Sequence, residues 1–427
     1  MRRKALSVSA AVLALGLTAA CGGGSGSSQS QSSTGPIKVW LSNNPEEIAW
    51  GKAMVKEWNA KHADQKVTAQ EIPAGKTSEE VIGAAITAGN APCLVFNTSP
   101  AAVPQFEKQG GLVPLDSFAG AKQYIESRSG GSADQYTSPD GKFYQIPWKQ
   151  NPVMIFYNKD LFKKAGLNPS KPQLATYDQF LAASKKIVAS KAASSAIAPA
   201  PTSEFFQSWF DFYPLYAAES GGKQTVENKK ATFNDAAGKD VWNFWAQMYK
   251  KGYAPQEAYS GDAFADKKAA MAVVGPWAIS VYKGKVNWGV VPVPTKDGMP
   301  ASQVHTFTDA KNIGLYSACK NQKTAWNVMK FATSKEQDGK LLETTGQMPI
   351  RKNLASTYSS YFASHPEYKT FADQASRTVE VPNVPNSVQI WQAIRDSYSS
   401  AVIFGKTPVD ESIAKAASKA DDLAGQS

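Results

Sequence analysis

The hydrophobic and polar positions of the first third alternate between two periods. Ile37-Lys38-Val39-Trp40-Leu41 runs in and out with the period of a strand, and Ser42 to Glu47 then reads as a helix start. Asn44 suits the N-cap, Pro45 the first turn and Glu47 the capping-box position, while Ile48, Gly51, Val55 and Trp58 recur at helical spacing. A second strand is predicted at Lys66 to Ile72, a second helix at about Ser78 to Ala88 closed by Gly89, and a third strand at Cys93 to Phe96. Such a β-α-β-α-β opening calls for a parallel sheet covered by helices, so the predicted fold class is α/β. Ligands of such sheets sit beyond the carboxyl ends of the strands, which directs attention to Ser42-Asn43-Asn44 and Asn97-Thr98-Ser99. The competing reading is that Asn44 and Ser99 only cap helices. Further on, Ser138-Pro139-Asp140-Gly141 is a turn before Lys142 to Ile146, and Val153 to Tyr157 reads as a buried strand. Tyr177 to Ser190 has helical spacing, Ala270 to Val274 and Asn287 to Val293 are β-rich, and the remaining third is mostly helical. With no repeat and no long linker inside the body, two lobes that exchange strands are expected.

The extreme amino terminus follows a different pattern. Arg2, Arg3 and Lys4 precede an apolar run from Ala5 to Leu17, the head and middle of an export signal, too short for a membrane span. The run ends Leu17-Thr18-Ala19-Ala20-Cys21, which resembles a bacterial lipobox, with Thr18 where Leu is commoner. An ordinary secretory signal with a chance Cys is the alternative. Residues 22–36 are almost wholly Gly, Ser, Gln and Thr, a flexible tether reaching on the order of 20 Å. Residues 1–21 are thus expected to be a lipoprotein signal peptide, and the folded body to lie outside the cell membrane. Cys93 and Cys319 are the two other cysteines, and export leaves open either a disulfide or two buried thiols.

Composition narrows the function. The 427 residues carry 42% hydrophobic content, which excludes global disorder, and 3 Cys, which excludes a disulfide-stapled miniprotein. A net charge of +10 suggests nucleic acid, but three of the cations belong to the leader and the rest come mostly as scattered pairs such as Lys163-Lys164 and Lys250-Lys251. A solvated surface is expected, and no nucleic-acid partner. HExxH, paired CxxC, GxSxG, GxxxxGK[ST] and EF-hand signatures are missing, and the three histidines are dispersed, so no catalytic residue, metal site or cofactor is predicted. Trp40, Trp148, Trp209, Phe210, Trp277 and Trp391 instead stand beside loops and polar residues. A flat ring against the C–H face of a pyranose, with amides around the hydroxyls, is what a neutral sugar needs. For any one ring alone, a place in the core is the competing assignment.

Four segments, in order, resemble the extracellular solute-binding proteins of carbohydrate ABC importers, the maltose-binding-protein-like group. They are Tyr157-Asn158-Lys159-Asp160-Leu161, Gly275-Pro276-Trp277, Val286-Asn287-Trp288-Gly289-Val290, and Pro382-Asn383-Val384-Pro385 leading to Trp391. The resemblance implies two α/β lobes with a ligand cleft between them, residues 37–150 with 288–332 forming one and 151–287 with 333–427 the other. It implies stacking by Trp277 and Trp391, with Arg395 one turn on, and contacts from Ser42, Asn44, Asn97 and Thr98. Asn151 falls where the maltose-binding relative has an acid, so maltose itself is not implied. Trp209 and Phe210 sit in a loosely matching stretch. It also implies lobe closure around a di- or oligosaccharide, delivery to the transmembrane subunits of a permease, a monomer, and a somewhat stronger case for pairing Cys93 with Cys319. Two alternatives accompany this expectation: a glycerophosphodiester held by Arg395 and Lys149, and a secreted carbohydrate-active enzyme working through an acid pair.

Overall fold

The computed structural model describes residues 31–199 and 201–426. The signal segment with Cys21 and most of the tether lie outside the described residues. The last tether residues are pinned to the body: Gly35 donates its backbone N–H to Thr324 Oγ1 at 3.1 Å, and Asn321 Nδ2 donates to the Pro36 carbonyl at 2.9 Å.

Fourteen short strands are assigned among the described residues, as β1 (Ile37–Leu41), β2 (Val67–Glu71), β3 (Leu94–Thr98), β4 (Gln145–Gln150), β5 (Met154–Asn158), β6 (Ser195–Ile197), β7 (Val226–Glu227), β8 (Lys230–Ala231), β9 (Ala269–Val274), β10 (Trp288–Val291), β11 (Thr306–Phe307), β12 (Lys311–Leu315), β13 (Met348–Pro349) and β14 (Thr378–Val379). Six form one sheet in the order β13-β4-β12-β3-β1-β2, and four form a second in the order β10-β5-β9-β6. In the first sheet β1 runs parallel to β2 and β3, as the opening pattern predicts, and β12 returns antiparallel between β3 and β4. Helices Pro45–Lys61 and Ser78–Thr87 make the two crossovers. The first starts as expected at Asn44, whose side chain accepts from Glu47 N at 3.0 Å. Glu47 does not close a capping box. Its carboxylate turns inward instead to the Lys149 ammonium and accepts from Gln347 Nε2 at 2.6 Å.

The lobes interchange later in the chain than expected. β10 pairs antiparallel with β5, Trp288 opposite Asn158, so residues 288–291 belong to the four-stranded sheet, and Val293, Val304 and Phe307 after them pack into the same core as Ile155 and Tyr157. Helix Lys335–Thr345 lies on the six-stranded side, where Leu341 joins the core of Trp50, Met54 and Phe96, and Trp50 Nε1 donates to the Gln337 carbonyl at 3.2 Å. The six-stranded sheet and the helix on it therefore draw on residues 37–150 and 311–349, where the expected boundaries lay at 288 and 332. The reason is pairing: the edge of β5 is satisfied only if β10 stays in its own sheet, and the apolar side of 335–345 has its acceptor surface on the other.

Buried ionic contacts fix the junction of the chain segments. Arg128, 3% exposed, is bidentate to Asp338 at 2.8 and 2.9 Å and donates to the carbonyls of Thr333 and Ile350 at 3.0 and 2.8 Å. Arg351 takes the second side of the same carboxylate at 2.9 Å. Cys93 and Cys319 are bonded, closing a loop of 226 residues and tying the start of β3 to the turn after β12. The structure thereby resolves what the spacing had left open.

Candidate functional site

Three strands of the first lobe end at a common edge, and the loops leaving that edge form one wall of a cleft of about 570 Å³. Asn43 follows β1, Glu71 ends β2 and residues 72–77 follow it, and Asn97 belongs to β3. Thr77 caps the helix Ser78–Thr87 by accepting from Glu80 N at 3.1 Å, which sets the first turn of that helix against the cleft. Asn97 Nδ2 donates to Ser78 Oγ at 3.1 Å, leaving its carbonyl oxygen for other donors. Asp309 and Lys311 enter from the crossing strand, 2.8 Å apart.

The opposite wall comes from the second lobe, as the short 3₁₀ turn Phe205–Phe210. Phe206, Trp209 and Phe210 face the cleft from it. This turn is held from behind by Asp211, which accepts from Phe212 N at 2.6 Å and from Gln207 Nε2 at 3.1 Å. Trp209 packs at a tilt on Phe307 and edge-on to Trp391 with centroids 5.5 and 5.9 Å away, and the Lys311 ammonium lies 5.7 Å from its ring centre. Its indole N–H is buried and has no hydrogen-bond partner. Beyond Phe206 and Phe210, which they share, a second chamber of about 470 Å³ opens toward β9, with Trp277 in its wall and 6.1 Å from Phe210.

The cations of the main cleft are compensated. Lys311 meets Asp309, and Lys76 reaches across to Glu204 of the second lobe at 3.2 Å. Burial pulls the Lys311 ammonium down, but Asp309 and Glu79 outweigh it and its pKa is raised. Burial pushes the Glu79 carboxyl up, against the opposing pull of Lys311. Among the described residues lining this cleft, each cation thus already has an acid within 3.2 Å. What remains offered to a ligand is amide, ring and the Glu79 carboxyl.

The structure brings together only part of the expected set. Asn97, Trp209 and Phe210 line the cleft, and Trp277 the adjoining chamber. Ser42 and Asn44 build the turn that presents Asn43, Ser42 Oγ accepting from Asn44 N at 3.2 Å. Trp148, 1% exposed, is a core ring between Trp50 and Phe96. Trp40 is packed with Ile82, Val95 and Tyr316, and the Thr98 hydroxyl is 3.0 Å from that of Tyr316. Strand alternation puts these side chains into the two faces of the sheet rather than off its end. Trp391, 0% exposed, stands behind Trp209 because Ile390, Trp391, Ile394 and Tyr398 are the buried side of their helix. Asn151 is sealed in the crossing, its Nδ2 donating to the Asp309 carbonyl and Gln347 Oε1 at 3.1 Å.

The two cations of the phosphodiester alternative are also occupied. Lys149, 2% exposed, is held by Glu47 and by Gln347 at 2.8 Å, and Arg395 by the Ser203 carbonyl and Asp396. Burial lowers the Lys149 pKa despite Glu47, whereas burial of Glu47 is outweighed by Lys149 and its pKa falls.

Sequence reasoning missed the loop after β2, with Lys76 and Glu79, although the rule that pointed to the other two loops applies to it equally. Phe206 was visible as the neighbour of two chosen aromatics. Asp309 and Lys311 carried no local signal.

Comparison with known proteins decides the family. The description "bacterial extracellular solute-binding protein" belongs to a family whose pattern matches residues 53–370. The chain belongs to this solute-binding family. Relatives of this solute-binding protein include the maltodextrin-binding protein MdxE of Bacillus subtilis, 24% identical over 321 residues that cover 71% of each chain. The diacetylchitobiose binding protein DasA of Streptomyces coelicolor is 24% identical over 394 residues, 88% of this chain and 86% of the relative. Among solved structures, the cyclic alpha-maltosyl-1,6-maltose binding protein of Arthrobacter globiformis superposes with a TM-score of 0.76 at 19% identity, over 92% of this chain and 100% of that one. The two-lobed fold is therefore shared with sugar-binding proteins, and the relatives named are binding proteins, not enzymes.

Proposed function

We propose that this solute-binding protein captures a neutral di- or oligosaccharide between its lobes and hands it, unaltered, to the transmembrane subunits of an ABC importer. The observation that carries this reading is the pairing of walls: polar loops on one lobe, an aromatic turn on the other, and every lining cation already compensated. A sugar is amphipathic in the same way, with C–H faces for rings and hydroxyls for amides. Contacts from both lobes stabilise the closed form over the open one, and that differential affinity is all that capture requires. Sugar recognition in the named relatives supports the same substrate class. The lipobox-like Cys21 supports tethering of a monomer at the outer face of the cytoplasmic membrane, and among the described residues no helix is long and apolar enough to cross it.

The test is a thermal-shift screen of residues 34–427 against oligosaccharides, monosaccharides, glycerophosphodiesters and peptides. A ligand at 100 times its dissociation constant adds about 2.7 kcal/mol to the folded state, enough to move a melting curve. A shift with a saccharide and no product formed supports the proposal, and a shift with phosphodiesters alone refutes it. Replacing Cys21 by Ala in the producing cell should release the protein from the membrane fraction.

A further inference from the structure

The two adjoining chambers differ in what they ask of an occupant. The chamber toward β9 is walled by Phe210, Phe264, Met271, Val273, Val274 and Trp277. Its polar side chains are already committed to the protein. Gln207 accepts from Thr202 N at 2.6 Å and donates to Asp211 at 3.1 Å, and Thr202 Oγ1 accepts from Glu204 N at 3.2 Å. Asp262 accepts from Phe264 N and Ala265 N at 3.0 and 2.9 Å and takes the Tyr282 hydroxyl as well. A sugar ring moved wholly into this space would leave hydroxyls without partners, at roughly 1–3 kcal/mol for each buried one. In the cleft next door, the Asn97 carbonyl and the Glu79 carboxyl are polar groups of the kind that hydroxyls need.

Resting on the saccharide reading above, we propose that the second chamber is an aglycone site, so that the preferred ligand is a saccharide carrying an aromatic or similarly flat apolar group at one end. The sugar lies in the first chamber, and the apolar group passes between Phe206 and Phe210 to rest against Trp277. Aromatic walls favour a flat occupant through offset and edge-on contacts.

Isothermal titration with matched glycosides tests this directly. The probes are methyl and 4-nitrophenyl maltoside, and methyl and 4-nitrophenyl diacetylchitobioside. For whichever sugar binds, the 4-nitrophenyl glycoside is expected to bind at least tenfold tighter than its methyl counterpart. Val274→Asp, which sets a charge in the chamber wall at a half-buried position, should erase that gain and leave the methyl glycoside unchanged. Val274→Thr serves if the first variant does not fold. Equal affinities for the two glycosides of one sugar overturn the aglycone site while leaving saccharide capture standing. Binding of none of the four probes counts against saccharide capture itself and takes the aglycone site with it.

Discussion

Asp211 holds the aromatic wall of the cleft from inside the protein, and its replacement by Asn should reverse sign with pH. The carboxyl is 0% exposed and faces no cation in its immediate contacts, so burial raises its pKa from 3.8 to about 7, against the backbone N–H of Phe212 and the Gln207 amide, which favour the ionised form. A folded-state pKa above the unfolded one means that the native protein binds more protons in this window. Stability therefore falls as pH rises from about 4 to about 7, and the cost is fully present above that. A carboxyl moved from 3.8 to about 7 corresponds to roughly 4 kcal/mol. In Asp211→Asn the charge is gone and the Phe212 N–H keeps its acceptor. The new amide N–H faces Gln207 Nε2, which is fixed as a donor because Gln207 Oε1 already accepts from Thr202. That mismatch costs about 1 kcal/mol at any pH. The variant should thus be about 3 kcal/mol more stable than the parent near pH 8 and about 1 kcal/mol less stable near pH 4. Urea unfolding of both proteins at the two pH values, followed by tryptophan fluorescence, reads the difference, since every other titrating group is common to both. A constant offset between the curves at both pH values would refute the argument that Asp211 is held in an ionisation-averse site.

Other expectations follow from single contacts. Trp209→Ala takes the ring out of the cleft wall, and calorimetry should show about a tenfold loss of affinity, near 1.4 kcal/mol, with a lower melting temperature because the ring also packs on Phe307 and Trp391. Lys76→Ala breaks an ion pair between the lobes whose lysine is 60% exposed, so affinity should change by less than about threefold. A larger change would show that the pair helps to hold the lobes closed. Removing the Cys93–Cys319 bond, by reductant or by a double Ala variant, should lower stability by about 2–5 kcal/mol in a denaturant titration, because it releases a loop of 226 residues in the unfolded chain. Arg128→Met leaves Asp338 buried with Arg351 alone, and a loss of about 3–5 kcal/mol is expected by the same measurement.

How much of this was legible from the residues differs between fold and site. Period-2 runs and helix caps are local properties, and they sufficed for the first three strands and two crossover helices, down to Asn44 as N-cap. Glu47 shows the limit of local reasoning. Its spacing from Asn44 fits a capping box, yet a buried ammonium 102 residues away draws it inward, since an unpaired Lys149 in the interior would cost more than an open helix end.

The sequence by itself determined an α/β chain and pointed to an export leader and a neutral, aromatic-rich binding chemistry, because leader, alternation and residue type depend on neighbours along the chain. Only the tertiary structure decided which aromatics meet the ligand cleft. Trp209 and Trp391 are 182 positions apart and chemically alike, and one fronts the cleft while the other backs it solely because of which lobe surface each helix or turn covers. The same holds for Lys149 and Arg395, cations by type that the fold spends on Glu47, Asp396 and a carbonyl. It holds as well for the junctions between lobes and for the bond between Cys93 and Cys319. Partners distant in sequence leave no periodic trace in it, and the energy that selects them is that of burying each surface against the one face able to receive it.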